Sequence, residues 1–151
     1  MQKILIALDY NPTAQKIAEQ GYALAKSMNA HVTLLHVISD VFYYSDLNYS
    51  PIMGFYGNEY FSTVNNDDLT TAAYKFLNKT KEFLGDNVIE VHVEQGEVAE
   101  SILKIAEKIN CNIIVMGTHS KKWLEKIMLG SVAEAILSDI KIPLFIIPTR
   151  Q

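Results

Sequence analysis

Gly117 ends the apolar run Ile113-Ile114-Val115-Met116, and thirteen residues later Gly130-Ser131 opens a short helical pattern carried by Val132, Ala135 and Ile136. A strand end and a helix start therefore bracket a loop that also holds His119, Ser120, Lys121, Lys122 and Lys126. Free backbone N–H groups at a helix start, and glycines that let backbone approach a ligand, are what phosphate oxygens need. Ser131 reads as a helix N-cap with its hydroxyl free for a phosphate. His119 is a loop histidine that could contact a nucleotide or sit in solvent, and the lysines offer either phosphate-reaching charges or a solvated face. For Gly117 alone, a turn glycine at a strand end is the simpler interpretation, and the spacing to Gly130-Ser131 is what favours a ligand.

Several other chemistries are excluded by missing motifs. No GxxxxGK followed by Ser or Thr is present, which disfavours a P-loop ATPase, and no GxGxxG follows the first strand. Ser131 lacks the glycines of a GxSxG nucleophile elbow. The third strand leads into Glu94-Gln95-Gly96, where receiver chemistry would need an aspartate. His31, His36 and His92 read as ordinary strand residues. Cys111, the only cysteine, cannot form an intrachain disulfide and reads as a small buried hydrophobe. No paired general base and nucleophile is legible, so the expected enzymatic activity is none, or at most weak ATP hydrolysis or autophosphorylation.

The elements that must position these residues follow from periodicity. Residues 3–8 form a short apolar strand that breaks at Asp9-Tyr10-Asn11-Pro12, with Asn11 or Thr13 as a cap and Pro12 suited to the first turn of a helix. Ala14, Ile17, Ala18, Gly21, Leu24, Ala25 and Met28 recur at steps of three and four, one apolar stripe on a helix that Asn29 ends. A β-branched strand is expected at 31–38, a helix from Asp67 or Asp68 to Leu84, and a third strand from Val88 to Val93. Gly96-Glu97 then opens a helix whose acids lie at its start and whose lysines lie at its end, matching the helix dipole. The Ile113 strand, a helix from Ser131 to Ser138 and a proline-bounded strand, Pro143 to Pro148, complete the alternation. This order predicts a single domain, 1–151, with an open five-stranded parallel sheet covered by helices on both faces. In such a sheet ligands bind beyond the carboxyl ends of the strands where strand order reverses, which selects Asp9 and Gly117 to line the site.

Between 39 and 66 the alternation lapses. This insertion holds eight of the fourteen Phe and Tyr residues, a composition unlike a disordered linker. It reads as an insertion packed on its own domain, a lid, or a surface for another subunit. The net charge of −4 argues against nucleic acid as a partner but not against a single nucleotide. The N-terminal apolar run is too short for a signal segment or a membrane span, so a cytoplasmic protein without membrane association is expected.

The stretches KILIALD, GEVAESILKIAEK, VMGTHSKKWLEKIMLGSVAEAIL and IPLFIIP together resemble the universal stress protein family over essentially the whole chain. The resemblance implies an adenine nucleotide alpha hydrolase-like fold with strand order 3-2-1-4-5 and a homodimer paired through the last strand, Pro143 to Pro148. The family's nucleotide-binding branch carries Gly, two residues, Gly, nine residues, then Gly with Ser or Thr. Gly117, Gly130 and Ser131 match it, and Ser120 stands at the second glycine position. If the backbone there needs a positive φ, serine costs on the order of 1 kcal/mol relative to glycine. The resemblance implies ATP or AMP as ligand, with Mg2+ as a possible companion. It places Asp9 near the adenosine, Val37 beside the base, Met116 and Gly117 at the ribose and phosphates, and Ser120, Gly130, Ser131 and Val132 around the phosphate chain. Ala7, Leu8 and His119 complete the expected set. The implied function is a stress-response regulator that signals as a dimer to an unknown protein partner. The competing expectation is a non-nucleotide interaction module that uses the aromatic insertion.

Overall fold

The computed structural model describes residues 1–39, 66–118 and 131–149. Five strands, β1 (Lys3–Ala7), β2 (His31–Ile38), β3 (Glu90–Gln95), β4 (Ile113–Gly117) and β5 (Leu144–Ile147), form one parallel sheet in the order β3-β2-β1-β4-β5. Among the described residues four helices accompany them: α1 (Ala14–Ser27), α2 (Asn66–Leu84), α3 (Val98–Lys108) and α4 (Ser131–Asp139).

The pleat sends alternate residues of each strand to opposite faces, and a parallel sheet needs both faces covered. Ile4, Ile6 and Leu8 of the first strand segment and Leu34 and Ile38 of β2 pack with Ala14, Ile17 and Ala18 of α1 and Leu69, Phe76 and Leu77 of α2. Leu5, Leu35, Val37, Ile114 and Met116 pack on the other face with Ile102 and Ile105 of α3 and Ala133 and Ile136 of α4. The sheet thus separates two apolar layers, as the alternation predicts.

Two helices end by the same device. Asn29 and Asn110 take φ values of 49° and 53°, and the following amides, Ala30 and Cys111, donate back to Ala25 and Ala106 at 2.9 and 2.8 Å. These bonds satisfy carbonyls that the last turn leaves open, and asparagine tolerates the left-handed conformation they require. At the start of α3 the Glu97 carboxylate accepts from the amides of Ala99 (3.2 Å) and Glu100 (2.7 Å). At the start of α1, Asn11 rather than Thr13 supplies the oxygen: its Oδ1 accepts from the Thr13 amide at 3.0 Å and the Thr13 hydroxyl at 2.7 Å. Pro12 consequently lies in this turn, ahead of the helix.

Two expected boundaries shift. β3 runs from Glu90 to Gln95, two residues later than periodicity suggests, because the Asp86 carboxylate binds the Val88 amide at 2.9 Å and folds that segment into a turn. Asp67 and Asp68 do not precede α2 but fall in its first turn, since the helix begins at Asn66. The remainder of the aromatic insertion, 40–65, lies outside the described residues. Replacing Glu97 with alanine removes the only side-chain cap found at the start of α3. It is expected to cost about 1 kcal/mol, lowering the melting temperature by about 2–4 °C in a thermal unfolding experiment.

Candidate functional site

The strand order reverses between β1 and β4, and a cavity of about 210 Å3 opens at the carboxyl ends of the strands there. Its floor comes from Ala7, Leu8 and Asp9 after β1, from Leu35, His36 and Val37 of β2, and from Met116 and Gly117 of β4. Ile17 of α1 closes one side, Val98 and Ile102 of α3 and Val132 of α4 close the other, and Ser39 stands at the exposed rim. The walls are mainly aliphatic, with the Asp9 carboxylate among the few polar groups. Such a chamber suits a flat, largely apolar ring carrying a polar extension.

Each wall has a local cause. Leu8 follows the last residue of β1, yet its amide donates to the Leu35 carbonyl at 2.8 Å, extending the ladder by one residue. Its own carbonyl lies 2.8 Å from His36 Nδ1. His36 is 2% exposed, stacked 4.4 Å from the Tyr10 ring and 6.1 Å from Phe76. Burial holds its pKa below the ordinary histidine value, against the opposing effects of the Leu8 carbonyl and the Asp9 charge. The ring is therefore neutral, and because a carbonyl can only accept, the proton resides on Nδ1. The Asp9 carboxylate accepts from the Asn11 amide at 3.1 Å, tying the strand end to the turn before α1.

Gly117 belongs to β4, opposite Ile147, and its φ lies outside the left-handed range, so it is not a turn glycine. What it requires is space. A Cβ at 117 would stand 2.8 Å from Thr149 Cγ2 and overlap the Ile17 side chain. The residue that lines the cavity thus also admits α1 onto the sheet.

Seven of the expected ligand-binding residues, Ala7, Leu8, Asp9, Val37, Met116, Gly117 and Val132, meet at this one cavity. Ser131 is the first residue of α4. His119, Ser120 and Gly130, with the three loop lysines, lie outside the described residues. Ile17, Leu35, His36, Ser39, Val98 and Ile102 also line the cavity, and sequence reasoning missed them. The apolar stripes of α1 and α3 contain Ile17, Val98 and Ile102, but periodicity identifies a buried face without saying which turn of it reaches the sheet's carboxyl edge. No group of three or more His, Cys, Asp or Glu residues is placed to hold a metal among the described residues. Within the same set, no helix is long and apolar enough to cross a membrane.

A doubly covered parallel sheet of order 3-2-1-4-5 with a crevice at its switch point makes this a doubly wound α/β protein, and its match to solved universal stress protein structures places it in the adenine nucleotide alpha hydrolase-like class. The universal stress protein family model matches residues 1–148, and the chain belongs to that family. Universal stress protein MJ0577 of Methanocaldococcus jannaschii is 32% identical over 99% of this chain and 96% of its own length. Universal stress protein A homolog 1 of Coxiella burnetii is 31% identical over 89% and 87%. The solved structure of MJ0577 superposes with a TM-score of 0.72, covering 99% of this chain and 97% of that one at 28% identity. A universal stress protein solved in complex with cAMP shares the fold at 14% identity with a TM-score of 0.66, covering 99% of this chain and 98% of that one. One from Archaeoglobus fulgidus in complex with dAMP shares it at 16% with a TM-score of 0.61, both chains being covered to 97%.

The neutral, buried His36 makes stability sensitive to pH. On unfolding, this ring regains its ordinary affinity for a proton, so below about pH 6.5 the unfolded chain takes up a proton that the folded chain refuses, and stability falls by up to about 1.4 kcal/mol per pH unit. Melting curves between pH 8 and 5.5 should show this decline. His36→Gln, which keeps a donor for Leu8 but does not titrate, should flatten it.

Proposed function

We propose that this protein is an adenine-nucleotide-binding regulator of the stress response, holding ATP or AMP in the crevice between β1 and β4. The observation that carries this reading is the convergence of residues from β1, β2, β4 and α4 on one aliphatic cavity at the switch point. Val37, Met116 and Val132 offer apolar surface to a base, and Asp9 offers acceptors to ribose hydroxyls or a base amine. The start of α4 at Ser131 and the end of β4 at Gly117 bracket the loop to which the motif assigns the phosphates. Relatives crystallised with cAMP and dAMP provide a precedent for adenine nucleotides on this fold. Mg2+ would accompany ATP through its phosphates.

A ligand that binds only the folded state stabilises it by RT ln(1 + [L]/Kd), about 2.7 kcal/mol at 100 times the dissociation constant. ATP or AMP at millimolar concentration is therefore expected to raise the melting temperature by about 5–10 °C. Gly130→Val, at a position the motif gives to the phosphate chain, is expected to abolish the rise. An unaltered melting temperature with both nucleotides would sink the proposal.

The signalling form in this reading is a homodimer paired through the last strand, Pro143 to Pro148. β5 pairs only with β4 among the described residues, and Phe145 on it is 42% exposed. An apolar edge of this kind is stabilised by a second chain. Sedimentation should show a dimer for the wild type and a monomer for Phe145→Lys; a wild-type monomer at micromolar concentration would remove the dimer from the reading.

A further inference from the structure

The segment after β5 is tied to the ligand-lining end of β4 by a reciprocal pair of threonines. The Thr149 amide donates to Thr118 Oγ1 at 3.1 Å, and the Thr149 hydroxyl donates to the Thr118 carbonyl at 2.6 Å. The two hydroxyl oxygens lie 3.4 Å apart. Thr118 is also fixed from its amide, which donates to the Ile147 carbonyl at 3.0 Å. Pro148 is held independently, since Lys16 Nζ of α1 donates to its carbonyl at 2.7 Å. Thr149 Cγ2 lies where it would touch a Cβ on Gly117, so the same side chain that binds Thr118 packs beside the cavity-lining glycine.

A parallel strand at the end of its ladder normally leaves its next peptide to solvent or to a following loop. Here the peptide after Gly117 is held at its N–H, its carbonyl and its side chain, all by residues 147–149. We propose that Thr149 and Thr118 are positioning residues of the nucleotide site: the clasp fixes the cavity-lining end of β4 at Gly117. A site wall fixed in advance is pre-organised, so less conformational freedom is lost when a ligand binds. The inference rests on the nucleotide reading given above. Neither threonine needs to touch the ligand.

Thr149→Val removes the hydroxyl donor while keeping shape and β-branching, and Thr149→Ser restores the donor. In full-length protein, calorimetric titration with ATP and AMP is expected to show binding weakened about ten-fold in Thr149→Val and within about two-fold of wild type in Thr149→Ser. In ligand-free Thr118→Val, which removes the Oγ1 acceptor, the Thr149 amide should exchange with solvent about ten-fold faster, while β1 amides keep their wild-type rates. Merely structural bonding would lower the melting temperature without changing affinity in the folded protein. Equal affinity in Thr149→Val and wild type, or Thr149→Ser as weak as Thr149→Val, overturns the positioning role. Unaltered Thr149 exchange in Thr118→Val overturns the clasp itself, whether or not nucleotide binds. A wild type that binds neither nucleotide overturns the functional reading instead and leaves the exchange result to judge the clasp.

Discussion

The close seating of α1 on the seam between β1 and β4 is the constraint on which the rest of this structure depends. Two glycines permit it. A Cβ on Gly21 would stand 2.8 Å from Ile6 Cδ1 and 3.1 Å from Val115 Cγ1, and Gly117 makes the equivalent allowance for Ile17 and Thr149. Glycine inside a helix is unfavourable by about 1 kcal/mol relative to alanine, so Gly21 is tolerated because overpacking this seam would cost about 1–3 kcal/mol. Ile17 then serves two ends, filling the core under the sheet and walling the cavity. Moving the helix outward to fit a larger residue would open both.

The polar groups at this edge serve the same placement. A strand end beside a ligand crevice must keep its backbone satisfied without closing over the crevice. At β1 this is done from beneath, by the neutral His36 ring bonded to the Leu8 carbonyl. At β4 it is done from the side, by Thr149. In each case a side-chain donor satisfies the strand-end carbonyl, whereas another ladder residue would extend the strand into the cavity. The Asp9 carboxylate, which accepts from the Asn11 amide, lies at the edge between these supports.

The architecture was legible in the sequence because its physical determinants are local. Apolar runs at 3–8, 31–38 and 113–117, separated by stripes of period 3.6, allow only a doubly covered parallel sheet, and the family resemblance orders its strands. Boundaries were less legible where a side chain competes with the ladder: the Asp86 carboxylate captures the Val88 amide and delays β3, which no hydrophobic pattern records. His36 was invisible as a site residue for another reason. Its importance comes from Leu8, Tyr10 and Phe76, which are remote or unremarkable in sequence, and its neighbours along β2 read simply as strand. Gly117 was found by spacing, but its steric demand comes from Ile17 and Thr149, one hundred residues before it and thirty-two after. The Thr118–Thr149 pair likewise joins positions with no shared motif.

Why the cavity lies at this seam follows from connectivity. The helix after β1 covers one face on its way to β2, and the helix before β4 covers the opposite face on its way from β3. Because such crossovers share one hand, strands added on the two sides of β1 carry their helices to opposite faces. The chain therefore diverges at the β1–β4 seam, and among the described residues no crossover bridges the carboxyl ends of those two strands. The cavity is bounded by α1 from one layer and by α3 and α4 from the other. The cavity is thus lined by both apolar layers of the protein at once. The gap is thus a direct consequence of strand order, while the small residues and side-chain clasps at its rim determine how well it is held open.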